Sequence, residues 1–274
     1  MTDIRPYPLS NLHATSRSHH DALSDLLDDD TMYRITSLID RESFPATGLP
    51  SGTWAGASML EVGAGAGSVA QKMRYLVGDT GRVVALDLHP AIEPDGNLEV
   101  VQLDLLSDEP LPEGPFHLIH ARLTLGHLPP RKAITARLID RLVPGGWLCL
   151  EDFRARRENI AVVGADAEIV EEFQRTVGRK VFDAHGTDPG WAPGMHQTLT
   201  DLGMTGVETR TFSSYWGGGN AGARFLTAIH AQTYDKVLAA GMDKARLDRV
   251  PEIMAQPATL IHGHEVFSVV AQRG

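Results

Sequence analysis

The sequence predicts an α/β protein with a Rossmann-like, doubly wound sheet, and three observations carry that reading. Short apolar runs alternate with helix-patterned segments, successive runs end at acids, and one glycine-rich turn joins a run to a helix pattern. At the start of the chain, His20 to Leu27 and Met32 to Ile39 have helix-compatible spacing and stop at Pro45, Gly48, Pro50 and Gly52. Residues 1–50 are therefore expected as a helical N-terminal lid. Ala57 to Val62 is the first strand, glycines follow, and Ser68 to Val77 resumes with helical spacing. Gly81 to Asp87 and Leu98 to Asp104 are two further strands, each closing in a carboxylate. Phe116 to Ala121 is the fourth strand; Arg131 to Leu142 is a helix ended by Pro144-Gly145-Gly146, and Trp147 to Phe153 is the fifth strand. Parallel neighbours need long, right-handed crossovers, and in such a sheet ligands bind at the carboxyl ends of the strands.

After residue 154 the pattern turns helical (Ile160 to Val181) and then breaker-rich (Gly186 to Gly194), so 154–204 is expected as a cap insertion. Thr205 to Ser213 and Glu265 to Gln272 are the last two strands of the expected seven. Between them, 217–258 forms a second helical cap or lid, with helices Ala221 to Ala240 and Lys244 to Met254 and Gly217-Gly218-Gly219 as a flexible joint. Residues 51–274 then constitute one domain carrying these insertions.

Composition narrows the function. Of 274 residues, 25 are basic and 35 acidic, a net charge of −10, so the overall field repels phosphate backbones and nucleic acid is not expected as a partner. The densest basic segment, Arg154 to Arg157, reads as a solvated loop. No stretch approaches the ~18 uninterrupted apolar residues of a membrane span, and the first ten residues lack the apolar region of a secretory signal. A cytoplasmic protein without membrane partners is the expectation. A lone cysteine, Cys149, gives no disulfide or zinc framework and reads as core. The sequence does not fix the oligomeric state; a homodimer is compatible with it.

The most informative segment is Glu61-Val62-Gly63-Ala64-Gly65-Ala66-Gly67. Glycine lets the backbone approach a ligand, and the helix that follows offers free N–H groups at the positive end of its dipole. A dinucleotide fingerprint, counted from Gly63, needs a third glycine where this chain has Ser68. Glu61, two residues ahead of the first glycine, would repel a pyrophosphate and suits a ligand carrying an ammonium group. Asp87, 24 positions after Gly63, can accept the hydroxyls of a ribose, which NAD and S-adenosyl-L-methionine both present. Asp104, ending the third strand, can bond the amino group of an adenine.

In LEVGAGAGSVA, VVALDL, VVQLDL, FHLIHARLTLGHLPPR and LVPGGWLCLEDF, spread over Ala57 to Phe153, the chain resembles the class I S-adenosylmethionine-dependent methyltransferases, in particular bacterial enzymes that tailor small natural products. The resemblance implies a seven-stranded sheet with the last strand antiparallel, and S-adenosyl-L-methionine as cofactor. It further implies Glu61, Gly63, Ala64, Gly65 and Gly67 around the methionine part, Asp87 and Leu88 at the ribose, Asp104 and Leu105 at the adenine, and His120, Ala121 and Arg122 beneath the cofactor.

Methyl transfer is an in-line displacement, so the protein must align a nucleophile and strip its water, and a general base is needed only for acceptors such as phenols. Twelve histidines make one available: His120, which ends the fourth strand, and His185 and His196 in the expected pocket wall are the candidates, while His127 suits ordering the turn before a helix. Tyr7, Tyr33, Asp152, Phe153, Trp191, Tyr215 and Trp216 are the candidate acceptor pocket, and no metal site is expected. The expected activity is transfer of a methyl to O, C or N of a small, aromatic specialised metabolite, with C-methylation of an electron-rich ring such as an indole, without a strong general base, as the alternative. Two readings of other classes compete: a scaffold of this fold that binds the cofactor without transferring methyl, as a cyclase or partner subunit, and an NAD-dependent oxidoreductase. The oxidoreductase is disfavoured by Ser68 and by the lack of a tyrosine with a lysine four residues on.

Overall fold

The computed structural model describes residues 9, 11–154 and 162–274, which leaves Tyr7, Arg156 and Arg157 outside the described residues. The chain divides into two units. Leu27–Phe153, Trp191–Thr211 and Val266–Gly274 form one, and the described residues of Met1–Leu26, Arg154–Gly190 and Phe212–Glu265 form the other. This division differs from the expected lid and caps: the second half of the N-terminal segment and residues 191–211 belong with the sheet.

The two expected N-terminal helices are one, α1 (Ser16–Thr36), followed by single 3-10 turns at Ser37–Asp40 and Phe44–Thr47. The run Asp28-Asp29-Asp30 does not break it, because Asp28 is buried against cations (below) and Arg34, 2% exposed, donates to Glu208 at 2.5 Å. Strand β1 (Ser58–Val62) leads through the glycine turn to α2 (Ser68–Val77). Then come β2 (Arg82–Asp87), β3 (Leu98–Gln102), β4 (Phe116–Arg122) and α3 (Arg131–Ile139). Strand β5 runs from Leu142 to Phe153, longer than predicted. Pro144-Gly145-Gly146 does not precede it but lies inside it as an irregularity: the register passes from Phe116 opposite Leu142 to Leu118 opposite Trp147. Gly145 is at positive φ where a Cβ would strike the backbone of Ala46.

In the other unit, β6 (Val162–Val163) and α4 (Ala167–Thr176), continued by a π-helical turn at Val177–Phe182, replace the single predicted helix. Helix α5 (Trp191–Asp201) returns to the sheet unit; Pro193 falls in its first turn, where the missing N–H costs nothing. Strand β7 (Thr205–Phe212) follows, then β8 (Tyr215–Gly217), α6 (Ala221–Ala239), α7 (Lys244–Ala255), β9 (Leu260–His262) and β10 (Val266–Gln272). The three glycines are a hydrogen-bonded turn rather than an open joint: the Asn220 side chain accepts from Gly217 N and Ala223 N and so caps α6. A small antiparallel sheet, β6-β9-β8, went unpredicted because its strands are two or three residues long.

The main sheet has seven strands in the order β3-β2-β1-β4-β5-β10-β7; the first five are mutually parallel and β10 is antiparallel to β5. The order reverses at β1, which makes the carboxyl ends of β1 and β4 the topological switch point. One face packs Leu60, Val62, Ile119, Leu148 and Leu150 with residues of α3 and α5; the other packs Met59, Leu118, Trp147 and Cys149 with residues of α1 and α2. Among the described residues no helix is long and apolar enough to cross a membrane.

Candidate functional site

The glycine turn is shaped by close approaches. Gly63 has φ +72°, and a Cβ there would lie 2.0 Å from Thr124 Oγ1, on the loop after β4. Gly67, at φ +78°, is the residue ahead of α2, and a Cβ there would collide with Ile92. The Gly63 and Ala64 amides donate to Leu86 O at the end of β2, so the turn is stitched to the neighbouring strand. Asp87 completes the stitch: its carboxylate accepts from Gly65 N and His89 N, both at 2.8 Å. Those two amides fix the carboxylate at the lip of the turn before any ligand arrives.

Asp104 follows β3, is exposed, and accepts from Leu106 N in a tight turn. Leu105 and Ala121 are buried members of the core, and Leu88 is 49% exposed beside Asp87. In the strand order β3-β2-β1-β4-β5, Asp104, Asp87, Glu61 with its glycines, and the end of β4 stand in one row at the carboxyl edge. The chemistry of this set fits a nucleoside bearing an amino acid: carboxylates for a diol and an ammonium, the positive end of a helix dipole at the turn, and leucines for a base.

The α1–α2 face carries a polar stripe at the same edge. Glu61 is opposite His120, which is opposite Cys149, and Glu151 lies two residues further along β5. His120 is fully buried, with Nδ1 2.6 Å from Glu61 Oε2 and Nε2 3.4 Å from Glu151 Oε2. Carboxylates only accept, so the imidazolium that donates from both nitrogens is the form that satisfies both contacts. Burial opposes the charge, but Glu61 and Glu151 outweigh it and raise the His120 pKa to about 9. Glu151 is also buried, which by itself would raise its pKa, yet its bonds from His120 and Thr31 and the nearby Arg122 hold it down at about 2. The stripe continues into α1 and α2: Thr31 donates to Glu151, Arg122 donates to Thr31 at 2.9 Å and to Asp28 at 2.7 Å, and Lys72 donates to Asp28 at 2.8 Å.

Several expectations change here. His120 already holds its proton near neutral pH and is sealed from solvent, so it is not positioned as a general base. Arg122, at the end of β4, is engaged with Thr31 and Asp28 of α1. His196 is exposed beside Thr209 of β7 at the far edge of the sheet, four strand positions from β1, about 19 Å at the usual ~4.8 Å spacing. His185 lies in the other unit, donating from Nδ1 to Val181 O. Tyr33 is 64% exposed, with the Arg210 guanidinium 5.9 Å from its ring. In the other unit, Trp216 is core, packed on Phe225 and His264, whereas Tyr215 is exposed. His127 lies in the 3-10 turn Leu125–His127 that precedes α3, and His117 accepts from Ser58 N at the amino end of β1, away from the site.

Asp152 and Trp191 do come together. Asp152 points to the face opposite Glu151, where it accepts from Phe153 N at 2.8 Å and Gly126 N at 3.2 Å; a Cβ on Gly126 would touch both Asp152 and Trp191. Phe153 ends β5 half-buried. Burial raises the Asp152 pKa to about 7 against those two amide bonds and Arg131. One group of metal-ligand dimensions exists among the described residues, His120, Cys149 and Glu151, with donor atoms within 4.8 Å of one another. Its imidazole nitrogens are taken up by two carboxylates, and burial pushes the Cys149 thiol well up, which disfavours the deprotonated ligands a metal needs.

Sequence reasoning missed Asp28, Thr31 and Arg34. The signal was present: residues 28, 31, 35 and 38 recur at helical spacing on one face, the polar pair extending the stripe of Ile35 and Leu38.

A family model described as a methyltransferase domain matches residues 31–185. Among curated proteins, methyltransferase str2 of Strobilurus tenacellus is 36% identical over 96 residues, 34% of this chain and 34% of that protein. The ubiquinone/menaquinone biosynthesis C-methyltransferase UbiE of Pseudomonas fluorescens is 28% identical over 114 residues, 38% of this chain and 44% of that protein. The chain thus matches about a third to under half the length of these relatives. Of solved structures, an S-adenosylmethionine-dependent methyltransferase from Aquifex aeolicus covers 96% of this chain and 100% of its own at 14% identity and TM-score 0.45. A phosphoethanolamine N-methyltransferase 2 from Haemonchus contortus, in complex with S-adenosyl-L-methionine, covers 93% and 60% at 13% identity and TM-score 0.48.

Proposed function

The chain belongs to the methyltransferase-domain family, and from that premise we propose that it is a class I enzyme that transfers a methyl group from S-adenosyl-L-methionine to a small, aromatic acceptor. The observation that carries the reading is the row of Asp104, Asp87, Glu61 and the glycine turn along the carboxyl edge of adjacent strands. When bound, S-adenosyl-L-methionine supplies an electrophilic methyl on a sulfonium. Asp87 would accept from the ribose hydroxyls, Asp104 and Leu105 would hold the adenine, and Glu61 would attract the methionine ammonium at the turn. Gly63 and Gly67 let the turn close against Thr124 and Ile92, where any Cβ would collide.

On the acceptor side, Asp152 is the candidate to receive a proton. It ends a central parallel strand, and burial brings it close to neutrality, where a carboxylate is an effective base. One relative, the ubiquinone/menaquinone biosynthesis C-methyltransferase, supports an aromatic acceptor. Methyl transfer from labelled S-adenosyl-L-methionine to a panel of phenols, quinols, indoles and amines tests the proposal. Labelled organic product formed in equal amount with S-adenosylhomocysteine is expected. Tight cofactor binding with no transfer to any of them would contradict the transferase reading and favour a non-transferring scaffold.

A further inference from the structure

We propose that His120 is a positioning residue for the cofactor's amino-acid end: clamped between Glu61 and Glu151, it fixes the Glu61 carboxylate at the entrance of the glycine turn. This rests on the cofactor reading above. The geometry is specific. Glu61 is 3% exposed and stands two residues before Gly63. Its carboxylate takes a charge-assisted bond at 2.6 Å from His120 Nδ1, which holds the side chain in one rotamer. His120 cannot turn away, because its ring is fully buried and its other nitrogen faces Glu151. Glu151 is in turn held by Thr31, and Thr31 by Arg122, so α1 sets the far side of the clamp. The nucleoside end is served by different groups, Asp87 on its two amides and Asp104 in its own turn. A defect in the clamp should therefore be felt by the amino-acid end of the ligand and not by the nucleoside end.

Two probes separate those ends: S-adenosylhomocysteine, which has the ammonium, and 5′-methylthioadenosine, which lacks the amino-acid part. In His120→Gln, the Kd for S-adenosylhomocysteine should rise about tenfold, the scale of losing one charge-assisted bond, while that for 5′-methylthioadenosine stays within about twofold. Glu61→Gln should give the same selective loss, and the double variant little more than either, since the two act as one unit. Should His120→Gln fail to fold, Thr31→Val, which leaves the imidazole in place and removes the hydroxyl that holds Glu151, should show a smaller loss with the same selectivity. Equal weakening of both probes, or no weakening of either, would overturn the positioning role while leaving the cofactor reading intact. Failure of the unsubstituted protein to bind either probe would overturn the cofactor reading itself.

Discussion

Glu151 and Asp152 are neighbours on one strand, and they face opposite sides of the sheet with opposite electrostatics. Both are buried, and burial alone would raise both. Glu151 meets an imidazolium, a hydroxyl and a guanidinium and is pushed down to about 2; Asp152 has two backbone amides and the charge of Arg131, which do not offset its burial, and rises to about 7. The difference teaches that position at the end of a central strand does not set a carboxylate's role; the partners on its face do. The α1–α2 face uses its acid to hold charge in place, whereas the α3–α5 face leaves its acid able to exchange a proton.

The largest test removes the structural acid. Glu151→Ala strands His120 and Arg122 with reduced compensation and should cost about 3–5 kcal/mol in chemical denaturation; a loss below about 1 kcal/mol would break the comparison. Gly63→Val comes next. A left-handed backbone and a Cβ 2.0 Å from Thr124 should cost about 1–3 kcal/mol and abolish binding of S-adenosylhomocysteine. A third test uses pH. The pKa of His120 is raised in the folded state, from 6.5 to about 9, so its contribution is complete below pH 6.5 and is lost as pH rises through 9. That fall in stability should flatten in His120→Gln. Asp152 works the other way from an ordinary paired acid: its neutral form is favoured on folding, so between pH 3.8 and about 7 it makes stability decline as pH rises.

Asp152→Asn is the milder counterpart of the Glu151 change. It removes an unfavourable charge and one amide bond together, so stability near pH 8 should stay within about 1 kcal/mol of the parent while turnover of a phenolic acceptor falls about 100-fold. An unchanged rate would remove Asp152 as the base. The smallest effect belongs to Tyr33→Ala, which should leave S-adenosylhomocysteine affinity within about twofold, because that ring is 64% exposed near the sheet's far edge.

The sheet was legible because parallel strands are apolar runs bounded by glycine and acid: the predicted and observed α2 both span Ser68 to Val77, and β2 and β4 differ from expectation by a residue. The polar clamp was not, because its members come from α1, β1, β4 and β5 and only the fold makes them neighbours. A triple-Asp run reads as solvent-facing until a lysine and an arginine from elsewhere in the chain neutralise one of its members. That Tyr33 and His196 lie by β7, at the far edge of the sheet from the glycine turn, was not legible for a related reason: an aromatic or imidazole ring in a variable segment carries no sign of which edge of the sheet it will reach.

The measurement that bears most directly on the central claim is calorimetric titration of the purified protein with S-adenosyl-L-methionine, S-adenosylhomocysteine and NAD. The row of strand-end carboxylates beside the glycine turn predicts saturable binding of both sulfur nucleosides, with Kd on the order of micromolar, and no heat from NAD. Binding of NAD, or silence with both sulfur nucleosides, would contradict it.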